Sequence, residues 1–190
     1  MCGLFGGISS VLMEAEIEAV YDMGFLSALR GIDSSGLAIL ISSSSSPSPN
    51  PKRKQILIRQ LTNPVSMLLS DETQNAMNPS NHGKTKNIFL MAGHARYASV
   101  GSVTEENIQP LQHNHIIGMH NGTIPSLKEP SNDLSDSKNL IKCISEEGIK
   151  NTIESRVTGG SYALVYIDSE NKTLNFIRNE DRPLSFCWNK

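Results

Sequence analysis

Hydrophobic positions along this chain change period several times, and each change predicts an element. The opening run "CGLFGGISS" is short, apolar and punctuated by glycine, which predicts a strand starting at the second residue. From Glu14 to Leu29 the apolar residues Ile17, Val20, Tyr21, Leu26 and Leu29, with Ala28, recur at helical intervals, and Arg30-Gly31 ends the pattern. "GLAILIS" and "QILIRQL" read as two strands. The Ser/Pro-rich, basic-ended stretch between them cannot pack, so a flexible loop is expected at about residues 42–54. Between Thr62 and Asn87 only "PVSMLLS" has the make-up of a helical turn. The polar remainder, at about residues 72–87, is expected to be a second flexible excursion.

"NIFLMAGHA" and "HIIGMHNG" are apolar runs that end in glycine and polar residues, as strands with functional groups at their tips do. A helix follows from about Ser137 to Glu147, with Leu140, Ile141 and Ile144 on one side. "GGSYALVYID" and "TLNFIR" bracket the turn-rich "SENK" as a hairpin. Strands are grouped and helices are grouped, so the fold class is α+β rather than an alternating parallel fold. With 190 residues the chain suits one domain, spanning residues 2–190.

Charge narrows the function classes. Seventeen Lys and Arg stand against 19 Asp and Glu, a formal net charge of −2, which gives no drive toward nucleic acid or an anionic membrane. No window approaches the roughly 20 apolar residues of a membrane-spanning helix, and no leader pattern opens the chain. Cys2, Cys143 and Cys187 are odd in number and far apart, which fits a reducing, cytoplasmic setting better than a disulfide framework. His113 and His115 could project onto one strand face, but without an accompanying carboxylate or thiol motif a solvated or hydrogen-bonded pair is expected there and no metal.

The chemistry concentrates at strand and helix ends. Cys2 follows the initiator methionine. Once that methionine is removed, the residue carries a thiol and a free α-amine, whose pKa of about 7.7 to 8.0 suits a base for a thiol near 8.5. Arg96 follows an apolar strand, from which its guanidinium can meet a carboxylate bidentately. Asn121 beside Gly122 offers two neutral donors of the kind an oxyanion hole needs. Asp136 opens a helix, either as a cap or as an acceptor for a substrate amine. A nucleophile, an oxyanion hole, a carboxylate clamp and an ammonium acceptor are together the set needed to cleave the side-chain amide of a free amino acid.

"MCGLFGG", "LRGIDSSGLAI", "GHARYASVGS", "HNGTI" and "SDSKNLI" stand in the order and near the spacing of the glutaminase domain of class II glutamine amidotransferases, which are N-terminal nucleophile hydrolases. From Cys2 to about Leu184 the chain resembles that family. The "RY", "VGS" and "SDS" most resemble the glutamine phosphoribosylpyrophosphate amidotransferase branch, ahead of glucosamine-6-phosphate synthase. The resemblance implies a four-layer α/β/β/α sandwich of two mostly antiparallel sheets. It assigns Cys2 as nucleophile with its own amine as base, Asn121 and Gly122 as oxyanion hole, and Arg30 with Gly31 as the pair beside the nucleophile. Arg96 would hold the α-carboxylate of glutamine and Asp136 its α-amine, with Tyr97 and Ser99 in the same substrate-binding motif. Neither a metal nor a cofactor is implied. The implied partners are glutamine and a separate synthase-type subunit that uses the ammonia; the alternative is a catalytically silent domain serving as a regulatory or interaction module.

Overall fold

The computed structural model describes residues 1–10, 13–43, 53–82, 87–99, 102–128, 135–171 and 173–187. It is an α+β protein with two antiparallel four-stranded sheets. The chain divides into two compact units, one made of residues 2–97 and 103–110, the other chiefly of residues 111–190 with residues 98–102.

The first unit holds β1 (Gly3–Ser9), α1 (Glu14–Ser27), β2 (Ser34–Ser43), β3 (Arg53–Gln60), α2 (Pro64–Leu68), α3 (Asp71–Met77) and β4 (Asn87–Arg96). Its sheet order is β1-β4-β2-β3. β4 is central, paired with β1 from Gly3↔Ala95 to Ser9↔Phe89 and with β2 from Ser34↔Arg96 to Ser43↔Asn87. Alternation along the strands sends Phe5, Leu37, Ile39, Ile58, Phe89 and Met91 into one core, which Val20, Met67, Leu68 and Met77 of the helices cover. Close contact between α1 and the sheet depends on Gly24, where a Cβ would overlap Leu68 and crowd the Phe5 ring. The buried side of α1 differs from the expected one. Ile17, Val20, Tyr21, Gly24 and Phe25 face the core, whereas Leu26 and Leu29 are 66% and 86% exposed.

The second expected excursion is corrected over most of its length. Residues 71–77 form α3, and a short 3₁₀ turn follows at Pro79–His82. The Ser70 hydroxyl caps α3 by accepting from the Thr73 N–H at 3.3 Å, and the Thr73 hydroxyl donates to the Met67 carbonyl at 2.7 Å. Thr73, Ala76 and Met77 put only three side chains against the core, too few to register as an apolar stripe. The first expected loop is narrower than its predicted bounds, since β2 runs to Ser43 and β3 begins at Arg53. Residues 44–52 and 83–86 lie outside the described residues.

The second unit holds β5 (Leu111–His113), β6 (Ile116–Thr123), α4 (Asp136–Glu147), α5 (Ile149–Arg156), β7 (Ser161–Asp168) and β8 (Thr173–Arg178), with sheet order β5-β6-β7-β8. α4 packs Leu140, Ile141 and Ile144 against Leu111, Ile116, Leu164 and Tyr166. Gly118 lets it approach β6, since a Cβ there would overlap Ile141. The expected hairpin is β7–β8, and the Asp168 carboxylate organises its turn by accepting from the Glu170 and Asn171 N–H groups at 3.0 and 2.9 Å. β5 and α5 had no clear sequence signal. β5 is three residues long, and α5 restarts helix after Gly148, whose φ of 79° breaks the run.

Leu37 is fully buried, so Leu37→Ala is expected to lower the unfolding free energy by about 2–5 kcal/mol. Leu29→Ala, at a site 86% exposed, should stay within about 0.5 kcal/mol of the parent. Urea denaturation followed by circular dichroism measures both, as a fall in midpoint for the first and none for the second.

Candidate active site

The residues singled out from sequence fall into two groups, one in each unit. In the first unit, strand pairing carries Cys2 to the end of β4. The ladder runs to Gly3↔Ala95, one step short of Cys2 and Arg96. Backbone groups of Tyr97 cradle the thiol: the Tyr97 N–H donates to Sγ at 3.4 Å, and the thiol reaches the Tyr97 carbonyl at 3.5 Å. The next residue back from that cradle is Arg96, only 3% exposed, while the Tyr97 side chain stands out at 54%.

Arg30 and Gly31 complete this group. Arg30 Nε donates to the Cys2 carbonyl at 2.9 Å, which fixes the backbone of the nucleophile candidate while leaving its thiol to Tyr97. Gly31 passes so close to β4 that a Cβ would overlap the Arg96 carbonyl and lie 2.6 Å from the Tyr97 nitrogen. Two residues on, the Asp33 N–H donates to the Arg96 carbonyl at 3.0 Å. The Arg-Gly pair that sequence alone reads as a helix end is therefore also the segment that buttresses the end of β4.

In the second unit, Asn121 and Gly122 occupy the tip of β6, paired with Ala163 and Tyr162 of β7. Asn121 is 5% exposed. Gly122 has to be glycine, because a Cβ would overlap the Ser161 carbonyl and approach His120 Nε2 at 2.8 Å. Asp136, 3% exposed, opens α4. Its Oδ2 accepts from the Ile124 N–H at 2.7 Å and its Oδ1 from the Ser137 N–H at 2.9 Å, so it ties the end of β6 to the first turn of the helix. A carboxylate has about four acceptor positions, and these two bonds leave room for a further donor. Ser99 is exposed, and Val100 and Gly101 of the same motif lie outside the described residues.

Sequence reasoning passed over His120 and Ser137, although both stand inside motifs it used. His120 is 1% exposed, and its Nδ1 lies 2.9 Å from the Ser137 hydroxyl. Burial pushes the imidazole below its ordinary pKa, against the opposing pull of the Asp136 charge and the Ser161 carbonyl, and Arg182 adds to the lowering. The strand period could have found it, because neighbours on β6 face opposite sides and a polar residue beside Asn121 has to point elsewhere.

The remaining candidates are peripheral. His113 and His115 make separate surface pairs with Glu146 at 3.4 Å and Glu170 at 3.8 Å. Among the described residues no group of three or more His, Cys, Asp or Glu side chains is arranged to hold a metal ion. No described helix is long and apolar enough to cross a membrane. Burial pushes the Cys143 thiol up, and the neighbouring Glu147 charge adds to this, which disfavours its thiolate at neutral pH.

Comparison with known proteins gives a partial relative. No family model matches the chain. Over 135 residues, 70% of this chain, the sequence is 27% identical to a glutamine–fructose-6-phosphate aminotransferase (isomerizing) of Acinetobacter baylyi. The match spans only 18% of that protein's length.

Two expectations follow. Gly31→Ala should cost about 1–3 kcal/mol by overpacking against Arg96 and Tyr97, whereas Gly7→Ala, where a Cβ meets nothing within 4 Å, should be close to neutral; thermal denaturation compares them. The unfolded value of His120 is 6.5 and the folded one is lower, so the unfolded chain binds the proton more readily. The stability contributed is present above about pH 6.5 and is lost as pH falls through and below that value toward the folded pKa. His120→Gln should flatten this part of the pH dependence of the urea midpoint. An unchanged slope in the variant would show that His120 does not carry it.

Proposed function

We propose that this chain is the glutaminase part of a class II glutamine amidotransferase system. It hydrolyses the side-chain amide of glutamine to glutamate and ammonia through a thioester on Cys2, and it passes the ammonia to an acceptor on a separate synthase-type subunit. The observation that carries this reading is the seat of Cys2: a thiol at the start of a strand, held by the Tyr97 backbone, one residue from buried Arg96. The motif order and the partial similarity to an aminotransferase named for glutamine and fructose 6-phosphate support it. The four-layer stacking, the phosphoribosylpyrophosphate branch and a cytoplasmic setting belong to the same proposal.

The reaction begins after Met1 is removed, because an amide nitrogen at Cys2 cannot accept a proton. The freed α-amine takes the thiol proton, and the thiolate adds to the amide carbon of glutamine. Asn121 Nδ2 and the Gly122 N–H donate to the oxyanion that forms. The ammonium returns its proton to the leaving nitrogen, the C–N bond breaks and ammonia departs. The same amine then deprotonates water, which adds to the thioester; the C–S bond breaks, and glutamate and the thiol are restored. Arg96 holds the substrate's α-carboxylate and Asp136 its α-ammonium, with Tyr97 and Ser99 in the surrounding motif. Ammonia released into neutral water is protonated and stops being a nucleophile, which is the reason for assigning a partner rather than free release.

Steady-state glutaminase assays test the reading. Cys2→Ala is expected to abolish turnover, and mass spectrometry of active protein should find Met1 absent. Arg96→Ala should chiefly raise KM, through loss of a clamp worth about 1.5–3 kcal/mol, and Asn121→Ala should chiefly lower kcat, by about a hundredfold. Active protein with Met1 intact would refute the mechanism. Glutamine binding without turnover in the processed wild type would favour the silent module.

A further inference from the structure

His120 and Ser137 take no part in the chemistry proposed above, yet they are buried polar side chains, 1% and 4% exposed, that bond to each other at 2.9 Å. Their neighbours in sequence are the ones that matter: His120 precedes Asn121, and Ser137 follows Asp136. Along β6 the even-numbered positions face α4, as Gly118 against Ile141 and His120 against Ser137 show, so Asn121 points to the opposite side of the sheet.

The strand tip is crowded on the His120 side. The Ser161 carbonyl and His120 Nε2 both press on the place a Gly122 Cβ would occupy, so the ring fills the space that Gly122 leaves. A neutral ring with its proton on Nε2, toward the Ser161 carbonyl, leaves Nδ1 to accept from the Ser137 hydroxyl. Two further bonds run from the first turn of α4 to the same stretch of chain: Asp136 Oδ2 accepts from the Ile124 N–H, and Asn139 Nδ2 donates to the Leu127 carbonyl at 2.9 Å. Of the three, only the His120 bond acts beside Asn121 itself.

We propose that His120 and Ser137 are positioning residues: their hydrogen bond locks the tip of β6 to the first turn of α4 and so holds the Asn121-Gly122 donors in place, while Asp136 keeps its own two backbone bonds. This rests on the proposed function for the catalytic meaning of those donors, but the locking itself is a property of the second unit. Oxyanion donors lose effect when misplaced by about 1 Å, a shift that need not weaken the binding of substrate groups elsewhere. Loss of the bond should therefore appear in kcat rather than KM.

The experiment uses the full chain with Met1 removed and compares the wild type with His120→Ala, His120→Asn, Ser137→Ala, Ser137→Thr and the His120→Ala/Ser137→Ala double variant. Steady-state kinetics with glutamine is paired with amide hydrogen exchange resolved over residues 118–127 and 135–140. The two alanine variants are expected to lose at least tenfold in kcat, with KM changed less than threefold, and the double variant should be no worse than the poorer single one. Ser137→Thr, and His120→Asn through its Oδ1 acceptor, should recover most of kcat. Exchange should rise together at the β6 tip and the α4 first turn in both alanine variants, a joint change that general loss of stability, spread over the whole unit, does not produce. Wild-type protein that hydrolyses no glutamine would sink the proposed function alone, since exchange still decides the lock. Alanine variants with kcat within twofold of wild type and unaltered exchange would overturn the lock. So would variants whose exchange rises uniformly through β5–β8.

Discussion

Antiparallel pairing of β1 with β4 is the constraint on which the first group of site residues depends. A residue at the very start of a chain is ordinarily frayed, because nothing opposes the entropy of its few neighbours. Here the ladder holds the chain from Gly3 onward against the central strand of a four-stranded sheet, which leaves Cys2 only one residue of freedom. Arg30 Nε on the Cys2 carbonyl and the Tyr97 backbone on its sulfur then remove most of what remains. A near-terminal thiol is thereby held in one place, as its proposed role as nucleophile requires.

Glycine at two points lets the backbones come that close. Gly31 runs against the Arg96–Tyr97 peptide and Gly122 against the Ser161 carbonyl, and in both cases the excluded Cβ would strike backbone, which cannot swing aside as a side chain can. Each glycine sits next to a residue whose side chain or main chain is assigned a role, Arg30 in one case and Asn121 in the other. Close packing at these places suits groups that act by position rather than by charge alone.

The sequence was most legible where a polar residue interrupts an apolar strand. Arg96 and Asn121 stand out in that way, Asp136 stands out at a helix start, and β1, β2, β3, β4, β6, β7 and α4 follow the hydrophobic period closely. Less legible were elements whose core contribution is small. α3 buries a threonine and a methionine under a largely polar surface, and β5 is too short to show alternation. In α1 the period was right but the face was shifted, since Gly24 and Ser27 are buried by close approach to other elements, which hydrophobicity does not reveal. His120 escaped for a different reason. A histidine beside a more conspicuous asparagine carries no signal until the strand's two faces are told apart.

Asp136 shows why a structural role and the role proposed for a residue need not compete. Position one of a helix is where exposed N–H groups and the aligned peptide dipoles most favour a carboxylate. The usual cap residue, Ser135, makes no side-chain cap bond here, so Asp136 does that work by accepting the Ser137 N–H, and it adds the Ile124 N–H from the neighbouring segment. The two bonds occupy one acceptor site on each oxygen and hold the side chain, only 3% exposed, between the helix and the neighbouring segment. In the proposed function the same carboxylate, aimed by backbone donors, meets the α-ammonium of glutamine. On that reading its remaining lone pairs need no reorganisation to accept the ammonium, so the bonds that cap the helix would also aim the proposed acceptor.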